Sequence, residues 1–120
     1  KTNKALPVYG KGENVRDWLW VEDHARAIDV IFHQAKAGTT YNIGGHNEIE
    51  NIEVVKKVCN ILDKLHPSKI KGVKKYQQLI NFVDDRPGHD RRYALNSKKI
   101  LKTFNDNNFI ISQKNGYQIT

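Results

Sequence analysis

At 120 residues, with 38% hydrophobic and 28% charged positions, the chain has the size and balance of one globular domain with a modest core, which argues against wholesale disorder. No apolar run approaches the roughly 20 residues that cross a bilayer. The opening KTNKALPVYG lacks a signal-peptide pattern, and the single cysteine, Cys59, excludes an internal disulfide.

A cytoplasmic location without a membrane partner is the expectation. The charge of +7 admits a basic nucleic-acid-binding module. The lysines, however, scatter over helix faces and loops (Lys56, Lys64, Lys75 and Lys99 among them) with no groove-reading motif, so they read first as solubility and no nucleic-acid partner is expected. Methionine is absent, position 1 included, and a piece of something longer is expected.

Residues 1–14 are polar and punctuated by Pro7, Gly10 and Gly12, which predicts an extended opening loop. Residues 15–21 (VRDWLWV) combine aromatic and β-branched side chains and predict a strand. In 22–38 (EDHARAIDVIFHQAKAG) Ala25, Ile28, Phe32 and Ala35 recur at helical spacing, widened by Ala27 and Ile31. Glu22 and Asp23 suit the positive end of that helix and Gly38 its stop. Residues 39–43 (TTYNI) predict a short strand running into Gly44-Gly45, a place where a ligand could approach the backbone closely.

A second helix is predicted from near Asn51, with Ile52, Val55, Val58, Cys59, Leu62 and Leu65 on its apolar face and Pro67 beyond its end. Asn51 is itself a good N-cap. The lysine-rich stretch 66–78 has no clear period. Residues 79–83 predict a strand, followed by the charged turn DDRPGHDRRY at 84–93. Asn96 or Ser97 is placed to cap a short helix, SKKILKTF. Two helices alternating with few, short strands make a small α/β unit whose sheet is not complete by itself.

The sequence contains no GxGxxG turn, no P-loop and no nucleophile elbow. Its five histidines lie apart from one another and from Cys59, so neither catalytic residues nor a metal site is expected. Anion binding is better supported. Arginine offers a planar fork that matches phosphate or carboxylate oxygens. Arg16 opens an apolar strand, and Arg86 precedes a Pro-Gly pair that makes a tight turn. Tyr9 suits stacking on a ring or anchoring a core. These residues alone suggest a phosphate or nucleotide-sugar pocket.

Three segments, LPVYGKGENVRDWLWVEDHARAI, YNIGGHNEIENIEVV and DRPGHDRRYALNSKKI, resemble the C-terminal part of the dTDP-glucose 4,6-dehydratases. These are extended members of the short-chain dehydrogenase/reductase superfamily. The resemblance implies a small C-terminal substrate-binding α/β domain over residues 1–104, lacking the N-terminal Rossmann domain, with a diverged or truncated tail at 105–120. It implies that the parent is a homodimer that binds NAD in its Rossmann half. The parent would take dTDP-glucose to dTDP-4-dehydro-6-deoxyglucose and water, on the route to rhamnose and other deoxysugars. Hydride would leave sugar C4 for NAD, water would leave across C5 and C6, and the hydride would return to C6.

Carried over by motif, Pro7, Val8 and Tyr9 would line the nucleotide, with Tyr9 near the thymine. Arg16 and Arg86 would grip the diphosphate, and Asn51 would hydrogen-bond the nucleotide portion. Asp85, Arg86, Pro87, Gly88 and His89 would close over the ligand, with Asp90, Arg91 and Arg92 in a salt-bridge network that orients the turn. The chain alone would bind dTDP or dTDP-glucose without NAD and without turnover. A sibling epimerase or dehydratase acting on another nucleotide sugar is the nearer alternative, and a nucleic-acid module the more distant one.

Overall fold

The computed structural model describes residues 4–104. In chain order they form β1 (Leu6–Tyr9), β2 (Val15–Asp17), α1 (Val21–Gln34), β3 (Glu48–Glu50), α2 (Asn51–Leu65), a 3-10 turn (Tyr76–Leu79), β4 (Ile80–Val83) and α3 (Lys98–Thr103). The mixed α/β class matches the expectation. The predicted tail at 105–120 lies outside the described residues. Two compact units can be separated: residues 4–15 with 49–92, and residues 16–48 with 93–104. β2 pairs with β3, and both strands carry the chain across the division. Among the described residues no helix is long and apolar enough to cross a membrane.

In the first unit β1 pairs in parallel with β4, Leu6 opposite Ile80 and Tyr9 opposite Val83. The opening segment is therefore not all loop. Its Pro7 lacks an N–H, which a two-stranded sheet tolerates because one side of each strand needs no ladder bond. Strand alternation sends Val8 inward, 6% exposed, and leaves Pro7 and Tyr9 on the other face.

Gly12, at φ +74°, lets the chain close on α2. A Cβ there would stand 2.8 Å from Ile52 Cβ and 2.9 Å from Val8 Cγ1. The same approach brings the Ile52 N–H to the Gly12 carbonyl at 3.0 Å. α2 begins at Asn51 as expected, but Glu50 is its N-cap and Asn51 its first helical residue. The predicted apolar face is buried mainly at Ile52 and Cys59, and Val58, Leu62 and Leu65 remain exposed. Burial pushes the Cys59 thiol above its ordinary range, and the nearby Asp63 charge adds to the effect.

The lysine-rich stretch after α2 is tied back to that helix by polar groups. Asp63 accepts the Tyr76 N–H at 2.9 Å, the Tyr76 hydroxyl donates to the His66 carbonyl at 3.1 Å, and Gln77 Nε2 donates to Asn60 Oδ1 at 2.6 Å.

In the second unit Ala27, Ile100 and Phe104 form the buried cluster, and Val30, Ile31, Ala35, Tyr41, Ile43 and Leu101 pack around it. The stripe predicted on α1 is buried at Ala27, Ile31 and Ala35 and not at its centre. Ile28 is 51% and Phe32 81% exposed, whereas Ala27 and Ile31 face the core. The helix ends at Gln34, with the Ala35 N–H on the Ile31 carbonyl, four residues before the glycine expected to stop it.

Residues 39–43 are not a strand. Their β-like composition serves packing: Tyr41 and Ile43 lie on the core cluster, and Lys99 Nζ donates to the Thr40 carbonyl at 2.7 Å. β-propensity measures fit to a half-buried surface, and that surface need not be a ladder. The strand predicted at 15–21 stops at Asp17, and β3 was not foreseen.

α3 starts after Ser97, whose side chain makes no capping bond. Asn96 Oδ1 instead accepts the Lys98 N–H at 3.1 Å.

Candidate functional site

The charged turn that follows β4 is built locally. Pro87 at the second position and Gly88 at the third, with φ +69°, give the pattern of a type II turn, and the His89 N–H reaches the Arg86 carbonyl at 3.3 Å. Asp85 closes it. Its Oδ1 accepts the Arg86 N–H at 2.9 Å and lies 2.6 Å from His89 Nδ1. The bond to His89 holds the Asp85 carboxyl below the usual carboxylate range, reinforced by the Arg86 N–H and by the His89 and Arg86 charges.

The turn is seated on the end of β1. Gly10 donates its N–H to the Val83 carbonyl at 2.8 Å, and a Cβ on Gly10 would come within 3.3 Å of Asp85 Oδ2. This approach sets the His89 ring edge-on to Tyr9, with centroids 6.2 Å apart. His89 has only 8% of its side chain exposed, whereas Asp85, Arg86, Pro87 and Gly88 are exposed.

Tyr9, Asp85, Arg86, Pro87, Gly88 and His89 are thus brought into one neighbourhood. Pro7 is exposed on the Tyr9 face of β1, and the Val8 side chain points into the core. Asn51 belongs to the same unit through an intermediary the sequence did not single out. Buried Asn14 accepts the Asn51 N–H on its carbonyl at 3.0 Å and donates its side-chain amide to the Asp90 carbonyl at 3.3 Å. Nothing in KGENV marks Asn14 for this role.

Among the described residues the ion pair inside the turn is Asp85–His89, and the Arg86 guanidinium is in none. A five-residue loop lets His89 reach back over the Pro-Gly corner to Asp85, and Arg86 is exposed. An exposed arginine would gain little from such a pair.

Arg16, in the second unit, sits in β2 with its guanidinium over the Tyr93 ring, 5.1 Å from the centroid. Its neighbour Asp17 is occupied elsewhere: its two oxygens accept the Gly45 and Asn47 N–H groups at 2.9 Å each. The paired glycines make this possible, since a Cβ on Gly44 would meet Asp17 Oδ2 at 2.6 Å. The close approach predicted at Gly44-Gly45 is therefore taken up by the chain's own carboxylate. Behind it, buried Ser97 lies 2.9 Å from His46 Nε2, which steadies His46 at φ +49°. Among the described residues no group of three His, Cys, Asp or Glu is placed to hold a metal ion.

The sequence matches the family described as GDP-mannose 4,6 dehydratase over residues 1–106. Among curated proteins it is 58% identical over 97 residues to a dTDP-glucose 4,6-dehydratase of Escherichia coli, covering 81% of this chain and 27% of that protein. It is 59% identical over 99 residues to one of Neisseria meningitidis, covering 82% and 28%. Among solved structures, dTDP-glucose 4,6-dehydratase of Bacillus anthracis in complex with NAD aligns with a TM-score of 0.69 at 47% identity, over 86% of this chain and 29% of that one. A dTDP-glucose 4,6-dehydratase of Streptomyces venezuelae with NAD and TYD bound aligns at 0.67 and 36% identity, over 82% and 27%. The chain therefore spans less than a third of the length of these relatives. Its α/β fold is that of part of an extended short-chain dehydrogenase/reductase. With the family matched over nearly nine-tenths of its length, the chain belongs to the GDP-mannose 4,6 dehydratase family.

Proposed function

We propose that this chain is the nucleotide-sugar-binding portion of a dTDP-glucose 4,6-dehydratase. The parent would be a cytoplasmic, homodimeric, NAD-dependent hydro-lyase that converts dTDP-glucose to dTDP-4-dehydro-6-deoxyglucose and water. The observation that carries this reading is the turn at 85–89, closed by Asp85 and His89 beside Tyr9. A loop held by its own hydrogen bonds spends little binding energy on ordering itself.

Each residue is assigned on its own motif. Tyr9 offers a ring face to the thymine, with Pro7 and the Val8 backbone beside it. Arg86 offers an exposed guanidinium to the diphosphate, and Arg16 is assigned to phosphate on its own motif. Asn51 offers a side-chain amide at the first residue of α2. Pro87 and Gly88 form the corner, and His89 holds it closed against Asp85. NAD would supply hydride chemistry in the parent. Among the described residues no glycine-rich turn joins a strand to a helix, so they do not fit the cofactor.

Titration calorimetry of the purified chain with dTDP tests the reading. Weak binding is expected, falling roughly tenfold in Arg86→Ala as one charge-assisted contact is lost. Equal heats for the two proteins would refute the assignment. UDP or GDP binding as tightly as dTDP would point to a sibling enzyme. Salt-sensitive DNA binding with no response to dTDP would point to a nucleic-acid module. No turnover of dTDP-glucose is expected from this chain alone.

A further inference from the structure

We infer that Asn14 is a positioning residue that ties the start of α2 to the turn at 85–89, fixing the spacing between Asn51 and Arg86 that a nucleoside diphosphate would meet. The inference rests on the reading of those two residues as ligand-binding and names what sets their spacing. The first N–H groups of an α-helix have no partner inside it, and Glu50, the N-cap of α2, makes no side-chain capping bond. Two of those groups go instead to the segment before β2. The Ile52 N–H donates to the Gly12 carbonyl and the Asn51 N–H to the Asn14 carbonyl, each at 3.0 Å.

The same segment holds the charged turn on both flanks. Before the turn, Gly10 donates its N–H to the Val83 carbonyl at 2.8 Å. After it, Asn14 Nδ2 donates to the Asp90 carbonyl at 3.3 Å and the Val15 N–H to the Arg91 carbonyl at 2.8 Å. Asn14 thus bonds to both elements, to α2 through its main chain and to the exit of the turn through its side chain. It is 7% exposed, and a polar group shut off from water loses more when its partner is removed than one at the surface. Aspartate has the same size but no N–H to donate. Asn14→Asp therefore sets a carboxylate oxygen against the Asp90 carbonyl and spares the main-chain bond to Asn51.

Titration with dTDP of wild type, Asn14→Asp, Arg86→Ala and the Asn14→Asp/Arg86→Ala pair tests this, with urea unfolding to establish that each protein is folded. Asn14→Asp should bind about three- to tenfold more weakly, the range of one shielded hydrogen bond. In the Arg86→Ala background the same change should add less than about twofold, because a displaced turn has no guanidinium left to misplace. A purely structural loss would weaken both backgrounds equally. NMR on the wild-type chain supplies a reading that needs no variant: the Asn14 side-chain amide protons should exchange slowly with water and should shift when dTDP is added. Fast exchange of those protons would overturn the positioning role and leave the proposed function standing. Equal losses in the two backgrounds, or Asn14→Asp binding like wild type while Arg86→Ala binds weakly, would do the same. If Arg86→Ala leaves dTDP affinity unchanged, the ligand reading of Arg86 fails and this inference fails with it.

Discussion

At the scale of single residues, Asp85 accepts from two groups inside one turn, and its lowered pKa reports that arrangement. A carboxyl depressed in the folded state adds stability above its unfolded pKa of about 3.9. That contribution disappears as pH falls through the lower folded value. Carboxyl-carbon NMR should find Asp85 titrating below the normal range in wild type and close to it in His89→Ala. An unchanged titration would show that His89 does not set it. Glycines separate by environment in the same way. Gly12→Ala meets both positive φ and two side chains, and should cost about 2–4 kcal/mol in urea unfolding. Gly38→Ala, at φ +78° with nothing within 4 Å, should cost only about 1 kcal/mol. At this scale the motif DRPGH announced a tight turn correctly, since Pro and Gly act through their own backbones. The partner of Asp85 was not legible, because which cation reaches a carboxylate depends on where the loop folds back.

At the scale of elements, α1 shows why periodicity underdetermines burial. Its apolar residues occupy more than one face, and the pattern Ala25, Ile28, Phe32 is as regular as the one through Ala27 and Ile31. Ala27, Ile31 and Ala35 meet the cluster of Ile100 and Phe104 within their unit, and Ile28 and Phe32 are exposed. Phe32→Ala should change stability by less than about 0.5 kcal/mol, whereas Ile100→Ala should cost about 2–5 kcal/mol; the reverse ranking would mean the helix is rotated. Cys59, on the buried side of α2 with a raised pKa, should react slowly with iodoacetamide near neutral pH and rapidly once urea unfolds the chain. The boundaries of α2 and β4 could be read from sequence because caps and apolar runs are local signals. β3 could not, because three residues become a strand only by finding β2.

At the scale of the whole molecule, the net charge of +7 should attract a nucleoside diphosphate before any specific contact is made, so dTDP affinity should fall as salt rises from 50 to about 300 mM. Affinity that ignores salt would argue against arginine-led recognition. The sequence by itself determined the α/β class, the second helix, the Pro-Gly turn and the family, all of which rest on neighbours along the chain and on motif spacing. Tertiary structure alone decided that Asp85 pairs with His89, that Gly44-Gly45 receives Asp17, and that Tyr93 lies under Arg16. Each of these joins groups whose meeting depends on how the backbone turns or pairs, and a linear pattern of residue types does not encode that geometry.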